Sequence, residues 1–344
     1  MQNDSLIEEL PKGLIQWYQF EKGAKALFVS GGEPSCHVFP EAMEACGLQV
    51  DDIHYTALEG FAKKAKEASN PDYDYIILAG VIERCKEPQA LLLLLHGLLN
   101  PKGRLLIGAD NRLGIRYFCG DRDIFSERSF DGIEDYIRLS QLDWKRVSGR
   151  AYSKAELTKM LEGAGFHNYR FYSVLPEWTR PQALYAEDCV PEGKPQEQVV
   201  PQYHSPDTIF LEEEKLYQTL IENGLFHVLA NGFFIECPLD GTFSNAKQVT
   251  LSVESGKEEG LATIIRRDNL VEKKALYQEG KGKERRMLEY TSDLKCRGLN
   301  VVECRLESGS LLMPYVTGEL AVDHFRRLIC QDKEEFLREL DRFW

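Results

Sequence analysis

Apolar positions between residues 24 and 108 fall into short unbroken runs separated by longer helical ones. The short runs are 24–30 (AKALFVS), 75–78 and 104–108. Runs that do not alternate with polar residues fit strands buried on both faces. Between them, 39–46 predicts a helix with Gly47 as its C-terminal stop, and 61–68 a charged helix with Phe61 and Ala65 on one face. Residues 48–58 leave room for at most one or two short strands. The segment 88–99 is apolar at nearly every position and predicts a buried helix, its five leucines covered on several sides. Asn100-Pro101-Lys102-Gly103 has turn chemistry. Strand, helix, turn, strand is a βαβ crossover, and ligands of open α/β sheets sit beyond the carboxyl ends of such strands. Those ends are Ala79-Gly80-Val81-Ile82-Glu83 and Ala109-Asp110-Asn111-Arg112.

The pattern then changes. Residues 121–139 are charged, with aromatic anchors at Phe125, Phe130 and Tyr136, and suit either a lid beside the site or a solvated surface segment. Ser153 and Glu156 form a capping box that starts a helix ending at 163–165, and 167–172 reads as an aromatic strand. Pro, Gln, Glu and Gly dominate 191–206, an extended connector that buries little. Beyond it lie an amphipathic helix (211–223), a buried turn and strand (225–236), and antiparallel strands at 248–253, 262–267 and 270–275. The loop carrying Glu254-Ser255-Gly256 joins the first two of these. A charged helix at 281–294, strands at 301–306 and 310–315, and a helix from 321 to 344 follow. The expectation is an α/β unit over 1–191, a linker over 192–206 and a smaller α+β domain over 207–344.

At 344 residues, two cores are affordable. The net charge of −13 argues against a nucleic-acid binder, which needs a basic face for phosphate. The longest apolar run ends at His96 and is too short for a membrane span, and the polar, acidic start MQNDSLIEELPKG is no secretory signal. Nine cysteines without a C-x-x-C pair argue against structural zinc or a disulfide framework and suit reduced thiols in the cytoplasm.

The acidic-aromatic lead into 75–78, the helix and the Pro-x-Gly turn together resemble the fourth-to-fifth strand region of class I methyltransferases, which use S-adenosylmethionine. Residues 110–118 (DNRLGIRYF) and 130–133 (FDGI) look like a bacterial subgroup found in large proteins linked to cell-surface polysaccharide assembly. The aromatic segment 14–20 (LIQWYQF) stands where that family leads into its cofactor strand; a helix packing aromatics over the sheet edge is the alternative. The resemblance implies a Rossmann-like methyltransferase sheet and a glycan or small-molecule acceptor. It assigns Ser30, Gly31 and Gly32 to the methionine end of the cofactor, and Asp51 or Asp52, with Asp52 preferred, to its ribose. Gly80, Val81 and Glu83 would flank donor and acceptor, with Asn111, Arg112 and Tyr117 on the acceptor side and Arg112 and Arg116 pairing an anionic sugar or phosphate.

The sequence departs from the family at the first loop. Phe28 stands where an acidic residue is expected, only two loop glycines remain, and Pro34 follows them. Restoring Glu at 28 and Gly at 34 is therefore expected to improve binding. Between Gly32 and Asp74 two strands and two helices barely fit, so this half is expected to be abbreviated. The run 121–139 also lacks a His that the family carries. A non-catalytic, methyltransferase-like scaffold or carbohydrate-binding module within a longer protein is the rival reading. A Rossmann dehydrogenase ranks behind both, because no G-x-G-x-x-G follows the first strand.

The second part weakly resembles the small lobe of a kinase-like fold. Lys273 or Lys274 would be the phosphate-pairing lysine, Glu284 or Glu289 its partner, and Met313-Pro314-Tyr315-Val316 the hinge. Without a Gly-rich loop, H-R-D or D-F-G, the chain is no kinase. The helix running to Phe343 and Trp344 reads either as the cut end of a longer protein or as a docking helix.

Overall fold

The computed structural model describes residues 10–67, 72–191, 194–252 and 257–343. Trp344, the amino-terminal nine residues and the loop Glu254-Ser255-Gly256 lie outside these. The parallel half runs β1 (Lys25–Ser30), α1 (Phe39–Ala45), β2 (Gln49–His54), α2 (Leu58–Glu67), β3 (Tyr73–Ala79), α3 (Pro88–His96) and β4 (Leu99–Asp110). β2, β1, β3 and β4 lie side by side, all parallel. Only α2 connects β2 to β3, so this half is abbreviated, as the spacing predicts.

The unbroken apolar runs arise because both faces of these strands are covered. Leu27, Val29, Ile76 and Leu78 face a core built with α2, α3 and the later helix α4 (Lys154–Gly163). Phe28, Tyr75 and Ile77 face the opposite core, where α1 and residues 14–18 pack. The five leucines are less uniform than predicted. Leu91, Leu92 and Leu95 are buried, but Leu93 is 59% exposed. The expected turn at 100–103 lies within β4 as an irregularity between the pairs Tyr73–Leu99 and Tyr75–Arg104, and the Asn100 amide donates to Asp74 (2.6 Å).

After α4 come β5 (Arg170–Leu175), β6 (Ala183–Ala186) and β7 (Gly232–Pro238). β7 is wedged between β4 and β5, antiparallel to both. The sheet thus crosses the boundary expected near 191, because the strand beside β4 comes from beyond the linker. The linker itself is docked rather than free. Pro195 and Val199 are buried, and Asp121 accepts hydrogen bonds from the His204 and Ser205 amides (3.0 and 2.8 Å).

The rest comprises β8 (Ala246–Ser252), β9 (Leu261–Arg266), β10 (Leu270–Ala275), α5 (Lys283–Cys296), β11 (Arg305–Glu307) and β12 (Ser310–Pro314). These strands extend the same sheet through β6, giving the order β11-β12-β10-β9-β8-β6-β5-β7-β4-β3-β1-β2. The predicted final helix is two, α6 (Ala321–Gln331) and α7 (Lys333–Phe343). Asp332 is extended between them and accepts from the Glu334 and Glu335 amides (3.0 Å each), an N-cap. Among the described residues no helix is long and apolar enough to cross a membrane.

Candidate functional site

Three loops meet at the carboxyl ends of β1, β3 and β4. The first is Ser30-Gly31-Gly32-Glu33. Gly32 sits at φ +83°, a backbone that side-chain-bearing residues rarely adopt. Gly31 is required for another reason: a Cβ there would stand 2.7 Å from the Gly80 carbonyl and the Val81 Cα. The first loop therefore rests directly on the β3 loop. Glu33 pairs with Arg84 at 2.8 Å, and Arg84 also donates to the Gly80 carbonyl (3.1 Å), fastening the two together. Val81 is fully buried beneath this contact.

At the second loop, Glu83 is almost wholly buried. Its Oε1 accepts from the Asp110 amide (2.8 Å), and its Oε2 has no partner among the described residues. Burial, then the neighbouring Asp110, pushes the Glu83 carboxyl up to about 8. Asp110 closes β4 and is only partly covered. Burial raises its carboxyl to about 6, against the pull of the Trp178 indole N–H. That N–H is buried and completes no hydrogen bond of good geometry. Glu177, Arg116 and Glu33 also act on Asp110 electrostatically. Tyr117 is buried beside it, its hydroxyl raised far above the ordinary range by burial and then by Asp110.

Trp178 floors this corner. Its ring stands 3.1 Å from the Cβ positions that Gly80 and Gly108 lack, and its indole and backbone border Gly232. Glycines on adjacent strand ends thus admit one flat indole.

The signature residues are spent largely on building the site. Asn111 donates to the Val228 and Ala230 carbonyls (2.8 and 2.7 Å) and accepts from the Leu113 amide, fixing the turn into β7. Arg112 bonds Glu156 at 2.6 Å and the carbonyls of Gly132 and Ile133, tying FDGI to the α4 cap. Arg116 is 2% exposed and gives its donors to Glu177, His204 and the Pro176 carbonyl. Neither arginine presents a free fork to an anion. Of the acceptor-side residues predicted, Tyr117 is the one on whose side chain Asp110 acts electrostatically.

Asp52 pairs with Phe28, two residues before β2 ends, while His54 at the end bonds the Ser30 hydroxyl (3.0 Å). Phe28 is a core residue stacked on Phe39 (centroids 5.4 Å). The lysine–glutamate pair expected in the second part is not formed. Lys274 donates to the Gln16 carbonyl (2.8 Å), Glu284 accepts from the Ala275 amide (2.6 Å), and among the described residues Lys273 makes no ion pair. The sequence places Asp110 at the strand end expected to carry the site but assigns no role to it or to Trp178. An acid closing a buried strand was the available signal for the first; nothing local marked the second.

No model of a known protein family matches the chain, and no curated protein matches it. Solved structures do. A SAM-dependent methyltransferase from Archaeoglobus fulgidus is 14% identical, with 67% of this chain and 94% of that one covered and a TM-score of 0.39. A putative methyltransferase from Bacillus halodurans is 16% identical (67% and 98% covered, TM-score 0.34). A Burkholderia thailandensis 1,6-didemethyltoxoflavin-N1-methyltransferase with bound S-adenosylhomocysteine is 10% identical (69% and 79% covered, TM-score 0.31). The strand order and register above make the fold Rossmann-like.

The lip suits S-adenosylmethionine unequally along its length. The carboxyl groups of Glu33, Asp110 and Glu177 outnumber Arg84 and Arg116, and the aromatic rings of Tyr117 and Trp178 stand beside them, an environment that suits a sulfonium cation. The methyl end fits. The ribose end has no acid in β1, and Asp52 stands two residues before the end of β2.

Proposed function

We propose that the chain binds S-adenosylmethionine where Gly31, Gly32, Gly80 and Asp110 converge and methylates a hydroxyl of a small-molecule acceptor. The acceptor class that the NRLGIRYF and FDGI stretches suggest is a sugar or surface-polysaccharide precursor. The observation that carries this reading is Asp110, a carboxylate that closes β4 at the carboxyl ends of the parallel strands and is raised toward neutrality. When bound, the cofactor supplies an electrophilic methyl group. Asp110 accepts the acceptor's hydroxyl proton, which suits a carboxylate raised toward neutrality. Glu83 holds its proton at neutral pH, so the charge of the pair resides on Asp110. Tyr117 orients the acceptor oxygen, and Trp178 keeps water from the sheet side. Holding both partners in line is most of the remaining work.

A non-catalytic scaffold is the second reading. It is favoured by the Glu33–Arg84 pair and by Gly31 lying directly on the β3 loop, which close the first loop down.

Calorimetric titration of S-adenosylmethionine and S-adenosylhomocysteine separates the two. Micromolar binding, lost in Gly32→Val, is expected. No heat and no thermal shift at millimolar ligand would leave the scaffold.

A further inference from the structure

At the opposite end of the sheet lies a cavity of about 380 Å3, within the size range of small-ligand sites. It is bounded by the 17–21 segment, by Tyr75 and Arg104 near the starts of β3 and β4, by residues 243–246 and by the β9–β10 hairpin. Arg104 and Asp110 are six residues apart on one strand, about 20 Å at the usual rise per residue. A ligand here cannot share the corner around Asp110, so this is a separate site.

Its walls are built and held. Tyr18 donates to the buried Glu236 (2.6 Å), and Arg104 bonds both (3.0 and 3.3 Å). The Ser244 amide also donates to Glu236 (2.8 Å), and Arg170 lies over the Phe243 ring at 4.3 Å. Across the cavity, Arg266 pairs with Asp268 (2.7 Å) and with Glu272 (3.6 Å). Arg104 and Arg266 are thus each matched by a carboxylate, so neither offers an unpaired charge to an anion. Donors and acceptors stand side by side, the arrangement that hydroxyl groups, which both donate and accept, can satisfy. The rings meet at corners: Phe20 with Tyr75 at 84°, Tyr18 with Tyr75 at 82°, Tyr18 with Phe20 at 51°. There is no parallel-walled slot among them for a flat heteroaromatic base. A corner of rings accepts a puckered, C–H-bearing ring.

We propose that this cavity binds a neutral saccharide of one or two rings, its C–H face on Phe20 and Tyr75 and its hydroxyls between Arg266, Glu272 and Arg104. The site does not depend on methyl-donor binding at the other end.

The test is titration of the full chain with glucose, galactose, mannose, N-acetylglucosamine, maltose and lactose, followed by saturation-transfer NMR and calorimetry. Adenosine serves as the flat probe, acetate and phosphate as anionic ones. At least one saccharide is expected to bind with millimolar Kd. Arg266→Ala and Glu272→Gln should each weaken that binding at least about tenfold, equivalent to about 1.4 kcal/mol. Both variants should melt normally, and Gly32→Val should bind the saccharide as the parent does. The proposal is overturned if none of these saccharides binds, if binding survives both variants, or if adenosine or an anion competes better than every saccharide.

Discussion

The Trp178 indole lies 3.1 Å from the point where a Cβ on Gly80 would stand, and Gly80 itself sits at φ +63°. Ala at 80 meets both a steric and a backbone penalty. Gly80→Ala is expected to lower stability by about 2–4 kcal/mol, read from urea unfolding midpoints at unchanged slope. A change under about 0.5 kcal/mol would mean that the ring moves freely, and that Trp178 is no fixed floor.

Glu83 governs the pH response. Its folded-state pKa is raised from the ordinary 4.5 to about 8 by burial and Asp110, and Asp110 shifts the same way, to about 6. Over that interval the folded chain holds protons that the unfolded chain has lost. The contribution of this pair to stability is therefore full below the ordinary carboxylate range and falls as pH rises toward 8. Glu83→Gln keeps an oxygen for the Asp110 amide and removes the ionisation. It should flatten this decline and exceed the parent by at least about 1 kcal/mol at pH 9. Parallel curves for the two proteins would sink this account.

Arg116 joins the buried Glu177, the Pro176 carbonyl and the exposed linker residue His204 in one cluster. Removing it strands Glu177. Arg116→Met should cost about 3–5 kcal/mol and expose the linker to protease. Unchanged melting and unchanged cleavage would show that the linker is held elsewhere.

Adjacent residues should separate structure from chemistry. Asn111→Ala orphans two backbone carbonyls and should cost about 2–4 kcal/mol while leaving cofactor affinity intact. Asp110→Asn should leave stability near the parent's. With a competent acceptor it should slow methyl transfer by about 10²–10⁴, the range for a lost general base. Equal rates for Asp110→Asn and the parent would remove Asp110 from the mechanism.

The parallel half was legible because both of its faces are covered, so burial writes itself as unbroken apolar runs. The capping box at Ser153 and Glu156 was legible because a cap is a local device, and both of its reciprocal bonds are present. Functional assignment was harder for a physical reason. Asn111, Arg112 and Arg116 carry the residue types of a binding site but discharge them on backbone carbonyls and carboxylates from segments 20 to 120 residues away in sequence. No spacing reveals such debts. Phe28 makes the same point from the other side. It reads as a missing acid, yet it stacks on Phe39 inside a core, so Phe28→Glu would bury an unpaired charge before it could help any ligand. The position of β7 was likewise hidden, because an antiparallel strand inserted from beyond a Pro-rich connector leaves no signal in either neighbour.

That insertion sets a timetable for the nascent chain. When Leu175 has been made, β4 and β5 both exist, but the strand that belongs between them ends 63 residues later, at Pro238. At translation rates of about 5–20 residues per second, two hydrogen-bonding edges stay open for roughly 3–13 seconds on the ribosome. Such edges recruit other strands. A chain released between 191 and 232 would carry a gap that nothing in its own sequence can fill.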